Sequence, residues 1–130
     1  MTVYRDNIRE VFTKTANEDM TGKDGYFVKE AANGRYDLCD TAGERADGVV
    51  IKGRGEGKSI QVVKLPGGVG KVKIVPGGIT NGAEVATDNM GRAKLATSAD
   101  YVLGLARQTV AASTEGGEGS VDLVLYQKNA

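Results

Sequence analysis

Glycine and other turn-forming residues punctuate this sequence at short intervals, and that spacing constrains the fold more than any other feature. The 19 glycines stand against two prolines and are spread between short apolar stretches rather than massed in one tract. That is the distribution of many tight turns, not of a flexible linker. Between the turns, GYFVKE (25–30), RYDLCD (35–40), GVVIK (48–52), SIQVVKL (59–65), GKVKIV (70–75), RAKLAT (92–97), YVLGLARQ (101–108) and SVDLVLYQ (120–127) run with period two. They are short, rich in β-branched residues and bounded by Gly, Asn or Asp, which reads as strands. Asn33-Gly34, Pro66-Gly67-Gly68, Pro76-Gly77-Gly78, Asn81-Gly82 and Gly116-Gly117 supply the turn chemistry between them. The reading is an all-β fold of about eight to ten short strands.

A chain of 130 residues, 40% of them hydrophobic, has material for one modest core. With no Trp, two Phe and five Tyr, that core is filled by Val, Ile, Leu and Ala. EVFTKTA (10–16) alternates acceptably as a strand, although Val3, Tyr4, Ile8, Val11 and Phe12 also fit one face of a short helix. The favoured organisation is an extended N-terminal arm over residues 1–15, entering a strand near residue 10, and a single β domain over 16–130.

The chain also matches itself. Gly34-Arg35 with Leu38 repeats as Gly91-Arg92 with Leu95 at an offset of about 57. Met20-Thr21 resembles Ile79-Thr80, Gly48-Val49 resembles Gly104-Leu105, and Gly55-Glu56-Gly57 recurs as Gly117-Glu118-Gly119. Two degenerate β-meander repeats, over about 16–65 and 70–127, would close into a small β-barrel or β-sandwich, because neither half alone covers its apolar face.

Composition removes several function classes. The sequence has no His and a single Cys39, so Ser-His-Asp and Cys-His catalysis and most zinc sites are out of reach, as is an internal disulfide. Cys39 reads as a small buried residue. Lys plus Arg and Asp plus Glu balance at 17 each and are interspersed, so no basic face for nucleic acid or anionic lipid is expected. No run reaches the roughly 20 apolar residues of a membrane span, and the N-terminus lacks a signal-like segment; the expectation is synthesis in a cytosol-like compartment.

GRGEGKS (53–59) resembles a phosphate loop, but the first Gly of G-x-x-x-x-G-K-[ST] would fall on Lys52, and a β pattern rather than a helix follows. The loop from Gly53 to Ser59 is therefore read as a hairpin connection, with a small β-barrel ligand- or nucleotide-binding module as the alternative. The carboxylates of DLCDTAGERAD (37–47), Asp88 and Asp100 read as surface and turn residues rather than an acid-base pair or metal set. No catalytic, cofactor-binding or metal-binding residue is assigned.

The chain as a whole resembles the capsid cement, or head decoration, proteins of tailed bacteriophages. The resemblance runs from about residue 10 to the end and rests on Gly25-Tyr26-Phe27-Val28-Lys29, on Gly77-Gly78-Ile79-Thr80 followed by Asp88-Asn89-Met90-Gly91-Arg92, and on Val102-Leu103-Gly104-Leu105-Ala106. It implies a non-enzymatic structural protein of the virion with a compact β-barrel or β-tulip fold and no cofactor. It implies seating on the outer capsid surface, with the major capsid protein as partner, as a homotrimer that stabilises the shell. Val3, Tyr4, Ile8, Val11 and Phe12, interleaved with charges, are the capsid-interface candidates, because such a segment can add to a partner's sheet edge. A tail or adaptor component of the same kind of virion is the neighbouring alternative.

Overall fold

The computed structural model describes residues 10–114 and 116–128. They form ten strands and, among the described residues, no helix: β1 (Val11–Thr15), β2 (Phe27–Glu30), β3 (Tyr36–Leu38), β4 (Gly48–Lys52), β5 (Ser59–Lys64), β6 (Gly68–Ile74), β7 (Glu84–Thr87), β8 (Ala93–Leu95), β9 (Tyr101–Ala106) and β10 (Gly117–Gln127). The all-β fold read from the sequence is the fold observed. The strand near residue 10 begins at Val11 and belongs to the folded sheet, pairing with β5 from Val11↔Val63 to Thr15↔Ser59.

The strands divide into two units of five with one topology. The first sheet has the order β1-β5-β4-β2-β3. The second, started at β6, runs β6-β10-β9-β7-β8 and closes back on β6. Position by position, β1 corresponds to β6, β2 to β7, β3 to β8, β4 to β9 and β5 to β10. The register agrees as well: Gly48 faces Lys64 where Gly104 faces Leu123. One parallel pair joins the outer strands in each unit, Ala16↔Tyr36 in the first and Ile74↔Ala93 in the second. Gly34 and Gly91, at φ +83° and +82°, turn the chain into the corresponding strands β3 and β8.

Three details differ from the sequence reading. The units are not meanders, since β4 pairs with β2 while β3 lies outside β2; the connection from Cys39 to Asp47 carries the chain back across the short β2–β3 hairpin. Strand β7 falls on a segment with no strong alternating signal. The Gly-Glu-Gly echo is also out of register by three residues. Pairing aligns Gly57 (φ +79°) with Gly116 (φ +78°), whereas Gly117, Glu118 and Gly119 already lie inside β10, opposite Ile74, Lys73 and Val72.

The second unit closes into a barrel, and the two units share their main core. Phe27, Val49, Val63 and Leu65 of the first unit pack with Val72, Ile74, Val85, Leu103, Val121 and Leu123 of the second in one buried cluster. Backbone hydrogen bonds cross the junction, from Phe27 N–H to Gly91 O at 2.8 Å, Lys73 N–H to Gly25 O at 3.0 Å and Gly43 N–H to Thr87 O at 2.9 Å. A second cluster, of Ala16, Met20, Val28, Tyr36, Val50, Ile60 and Val62, fills the interior of the first unit alone.

Candidate functional site

The exposed edge of β1 and the cleft beside it form the candidate site. In an antiparallel pair, alternate residues direct their main-chain groups at the partner strand. Here Glu10 O accepts from Lys64 N–H and Ala16 N–H donates to Lys58 O, each at 2.9 Å. The residues in between, Val11, Thr13 and Thr15, therefore turn their N–H groups outward, along an edge that no described strand continues. Among the described residues, only the single Ala16↔Tyr36 bridge links β1 to β3, so their seam is open elsewhere.

Side chains follow the same alternation. Phe12 and Lys14 share the inner face with Val62 and Ile60, the residues opposite them, while Val11 lies on the other face. Val11 and Phe12 are 49% and 36% exposed, large values for apolar side chains in a sheet. Phe12, Lys14, Glu30, Tyr36, Arg45, Asp47, Val62, Lys64, Leu65 and Leu125 line a cleft of about 380 Å³. Its floor is apolar and its rim charged.

Electrostatics on the rim are uneven. Arg45 meets Asp47 at 3.4 Å, and the other oxygen of Asp47 accepts the Glu30 N–H at 2.8 Å. Lys14 and Lys64 make no ion pair with a described residue; their ammonium groups stand 5.3 and 5.8 Å from the centre of the Phe12 ring, and Lys14 also lies 5.7 Å from that of Tyr36. Burial, followed by the nearby Glu30 and Asp47 charges, pushes the Tyr36 hydroxyl above its usual pKa, so it stays neutral. The cleft offers main-chain donors, an aromatic wall and two cations without an ion-pair partner among the described residues, with the carboxylates of Glu30 and Asp47 on the same lining.

Of the residues singled out from the sequence, Val11 and Phe12 lie on this edge, and Val3, Tyr4 and Ile8 lie outside the described residues. Lys14, Tyr36, Lys64 and Leu125 were missed, since they come together from strands far apart in the chain. The readable signal is in the repeat: where the first unit has Phe12, Lys14 and Lys64, the second has Gly70, Val72 and Leu123.

The other motifs resolve into architecture. The loop from Gly53 to Ser59 connects β4 to β5, and no helix follows it whose N-terminus could face a phosphate. Lys58 donates its N–H to Gly55 O at 3.0 Å, closing a tight turn, and Gly53 N–H is held by Asp24 at 2.7 Å. The carboxylates organise turns: Glu44 accepts the N–H groups of Asp40 and Thr41 at 2.8 Å each, and Asp88 those of Met90 and Arg92 at 2.9 and 2.7 Å. Burial works against the Lys29 ammonium, but its bonds to Asp40 and Glu44 prevail and raise its pKa above the usual lysine range. The Cys39 thiol is fully buried and pushed up by that burial, which makes it inert. Among the described residues, no group of three or more Cys, Asp or Glu side chains is placed to hold a metal ion.

The fold is shared with a known virion component. The structure is similar to the crystal structure of the N base of head fiber gp8.5 in bacteriophage phi29, with a TM-score of 0.66 and 18% sequence identity, over 89% of this chain and 94% of that chain. At that identity the correspondence establishes a common fold. No family model matches the chain, and no curated protein matches it by sequence.

Proposed function

We propose that the chain is a non-enzymatic structural protein of a tailed-bacteriophage virion, a decoration or cement protein that seats on the outer surface of the head. In this reading it binds the major capsid protein and reinforces the shell, three copies assembling around each three-fold position. The observation that carries the reading is the fold shared, over nearly the whole of both chains, with the base of a phage head fiber. The local geometry is of the same kind. What the first unit presents is a strand edge that no described strand continues, beside a cleft with apolar and charged walls, a means of gripping another polypeptide through main-chain hydrogen bonds. Net formal charge is zero, so many copies can pack side by side without mutual repulsion.

Pelleting tests it. The protein is incubated with expanded and unexpanded heads of its source virus and the heads are sedimented. Saturating co-sedimentation with expanded heads is expected, and a density map of those heads should show three copies around each three-fold. Absence from the pellet with every form of head would overturn the reading.

A further inference from the structure

The internal repeat allows the seam beside the cleft to be compared with its filled counterpart. In the second unit, the seam between β6 and β8 is occupied by residues 25–27 of the first unit. Gly25 O accepts Lys73 N–H at 3.0 Å on the β6 side, and Phe27 N–H donates to Gly91 O at 2.8 Å on the β8 side. The Phe27 side chain is completely buried and belongs to the same cluster as Val72, Val121 and Leu123. The fit is close: a Cβ added at Gly91 would lie 3.1 Å from Phe27 O and 3.4 Å from the Tyr26 ring.

The equivalent seam of the first unit has the same two anchors. Lys73 precedes the bridging residue Ile74 as Thr15 precedes Ala16, and Gly91 stands two residues before Ala93 as Gly34 stands two before Tyr36. Thr15 N–H points outward, and Gly34 O accepts no hydrogen bond from a described residue. Among the described residues, nothing lies within 4 Å of a Cβ added at Gly34, in contrast to Gly91. The positions corresponding to Val72, Val121 and Leu123 are Lys14, Val62 and Lys64, all lining the cleft.

We propose that this seam accepts an extended segment of a partner polypeptide, held as residues 25–27 are held in the second unit. The segment supplies a main-chain carbonyl to Thr15 N–H and a main-chain N–H to Gly34 O, and places one large apolar side chain, aromatic for preference, on the Val62 floor. Where the internal segment meets Val72 and Leu123, the incoming one meets Lys14 and Lys64, so it carries carboxylates beside its aromatic residue. This chemistry differs from a flat protein contact, because affinity comes from strand addition and one anchoring side chain. It rests on the virion reading only for the source of the segment, which would then be a shell protein.

The test uses the chain's own filler as probe. A synthetic peptide of residues 24–30, DGYFVKE, is titrated into the isotopically labelled full-length protein, and amide shifts are followed. Shifts are expected at Thr15, Gly34 and their neighbours on β1 and β3. Replacing the Phe of the peptide with Ala is expected to weaken binding about tenfold or more, the loss that goes with one unburied aromatic side chain. Thr15→Pro removes the outward N–H from an edge strand, where Pro is tolerated, and is expected to abolish the shifts. The double variant Lys14→Glu, Lys64→Glu, which leaves the main-chain edge unchanged, is expected to weaken the peptide through like charge. Silence of β1 and β3 at millimolar peptide would overturn the proposal, as would equal binding of the Ala peptide. If the same amides shift with protein concentration alone, the occupant is a second copy, and the assignment to a partner falls. No phage head enters the experiment, so it can fail while pelleting succeeds, and the reverse.

Discussion

Two glycines show how closely the units are built to one plan. Gly48 and Gly104 occupy the same place in β4 and β9, and a Cβ on either would overlap a valine of the neighbouring strand, Val62 at Gly48 and Val121 at Gly104. The surroundings differ in what can yield. At Gly48 the Val63 carbonyl is also in the way, whereas at Gly104 the nearest backbone atom, Asp122 O, is 3.3 Å off. Gly48→Ala and Gly104→Ala are each expected to lower unfolding free energy by about 1–3 kcal/mol in urea titrations, the usual cost of overpacking a filled site. Combining each with a Val→Ala change at the overlapping valine should recover more at Gly104, because trimming a side chain cannot clear a main-chain carbonyl. Equal recovery at both sites would mean that the backbone at Gly48 gives way more readily than its surroundings suggest. This pair was legible in the sequence as a repeated Gly-apolar dipeptide, since a glycine forced by close approach leaves the same mark in both copies.

At the scale of elements, legibility follows the length and regularity of each strand. β4, β5 and β9 alternate or run apolar between clear turn residues, and their bounds lie close to those read from the sequence. β7 did not show, because EVAT holds one β-branched apolar residue and is too short for a period to develop. The Gly-Glu-Gly echo misled because glycine marks a turn in one copy and a strand in the other, where Gly119 packs beneath Val110 and Ile74. The cleft was half legible: Val11 and Phe12, interleaved with charges, stand out as interface candidates, but its cationic rim depends on which distant strands become neighbours. Turns, by contrast, announce their carboxylates. Between β8 and β9, Asp100 receives Lys94 at 2.7 Å and both the N–H and hydroxyl of Thr97 at 3.0 Å. Burial alone would raise its pKa, but these partners outweigh it and hold the carboxyl below its ordinary 3.8. The unfolded chain then binds the proton more readily than the folded one, so this contribution to stability is complete above the unfolded pKa and is lost as pH falls through the folded value. Asp100→Asn should therefore be less stable than the parent near neutrality, with the gap shrinking as pH falls below about 4. Urea midpoints of both proteins between pH 2.5 and 7 read this out; a gap that widens toward acid would contradict the assignment.

Over the whole molecule, the decisive question is whether two units of one topology behave as two folding bodies. A bare tandem repeat would unfold in pieces, each unit holding its own core. Here the largest buried cluster draws on both units, and Phe27, the largest fully buried side chain, enters it from the first unit while lying among residues of the second. Its main chain is tied to both sides, N–H to Gly91 O and carbonyl to Cys39 N–H. Removing that ring leaves a void among Val72, Val121 and Leu123, the residues of the second unit that share its buried cluster. Phe27→Ala is expected to cost about 3–5 kcal/mol, the range for an aromatic truncated in a core. The cost should appear equally in both units, because opening the shared cluster exposes each of them. Hydrogen exchange measures this directly: slowly exchanging amides of β4 and β9 are expected to lose protection together and by the same free energy. If β9 kept its parental protection while β4 opened, the second unit would be stable without its filler. The seam of the first unit would then need no occupant either, and the mimicry on which the partner-segment proposal rests would lose its force.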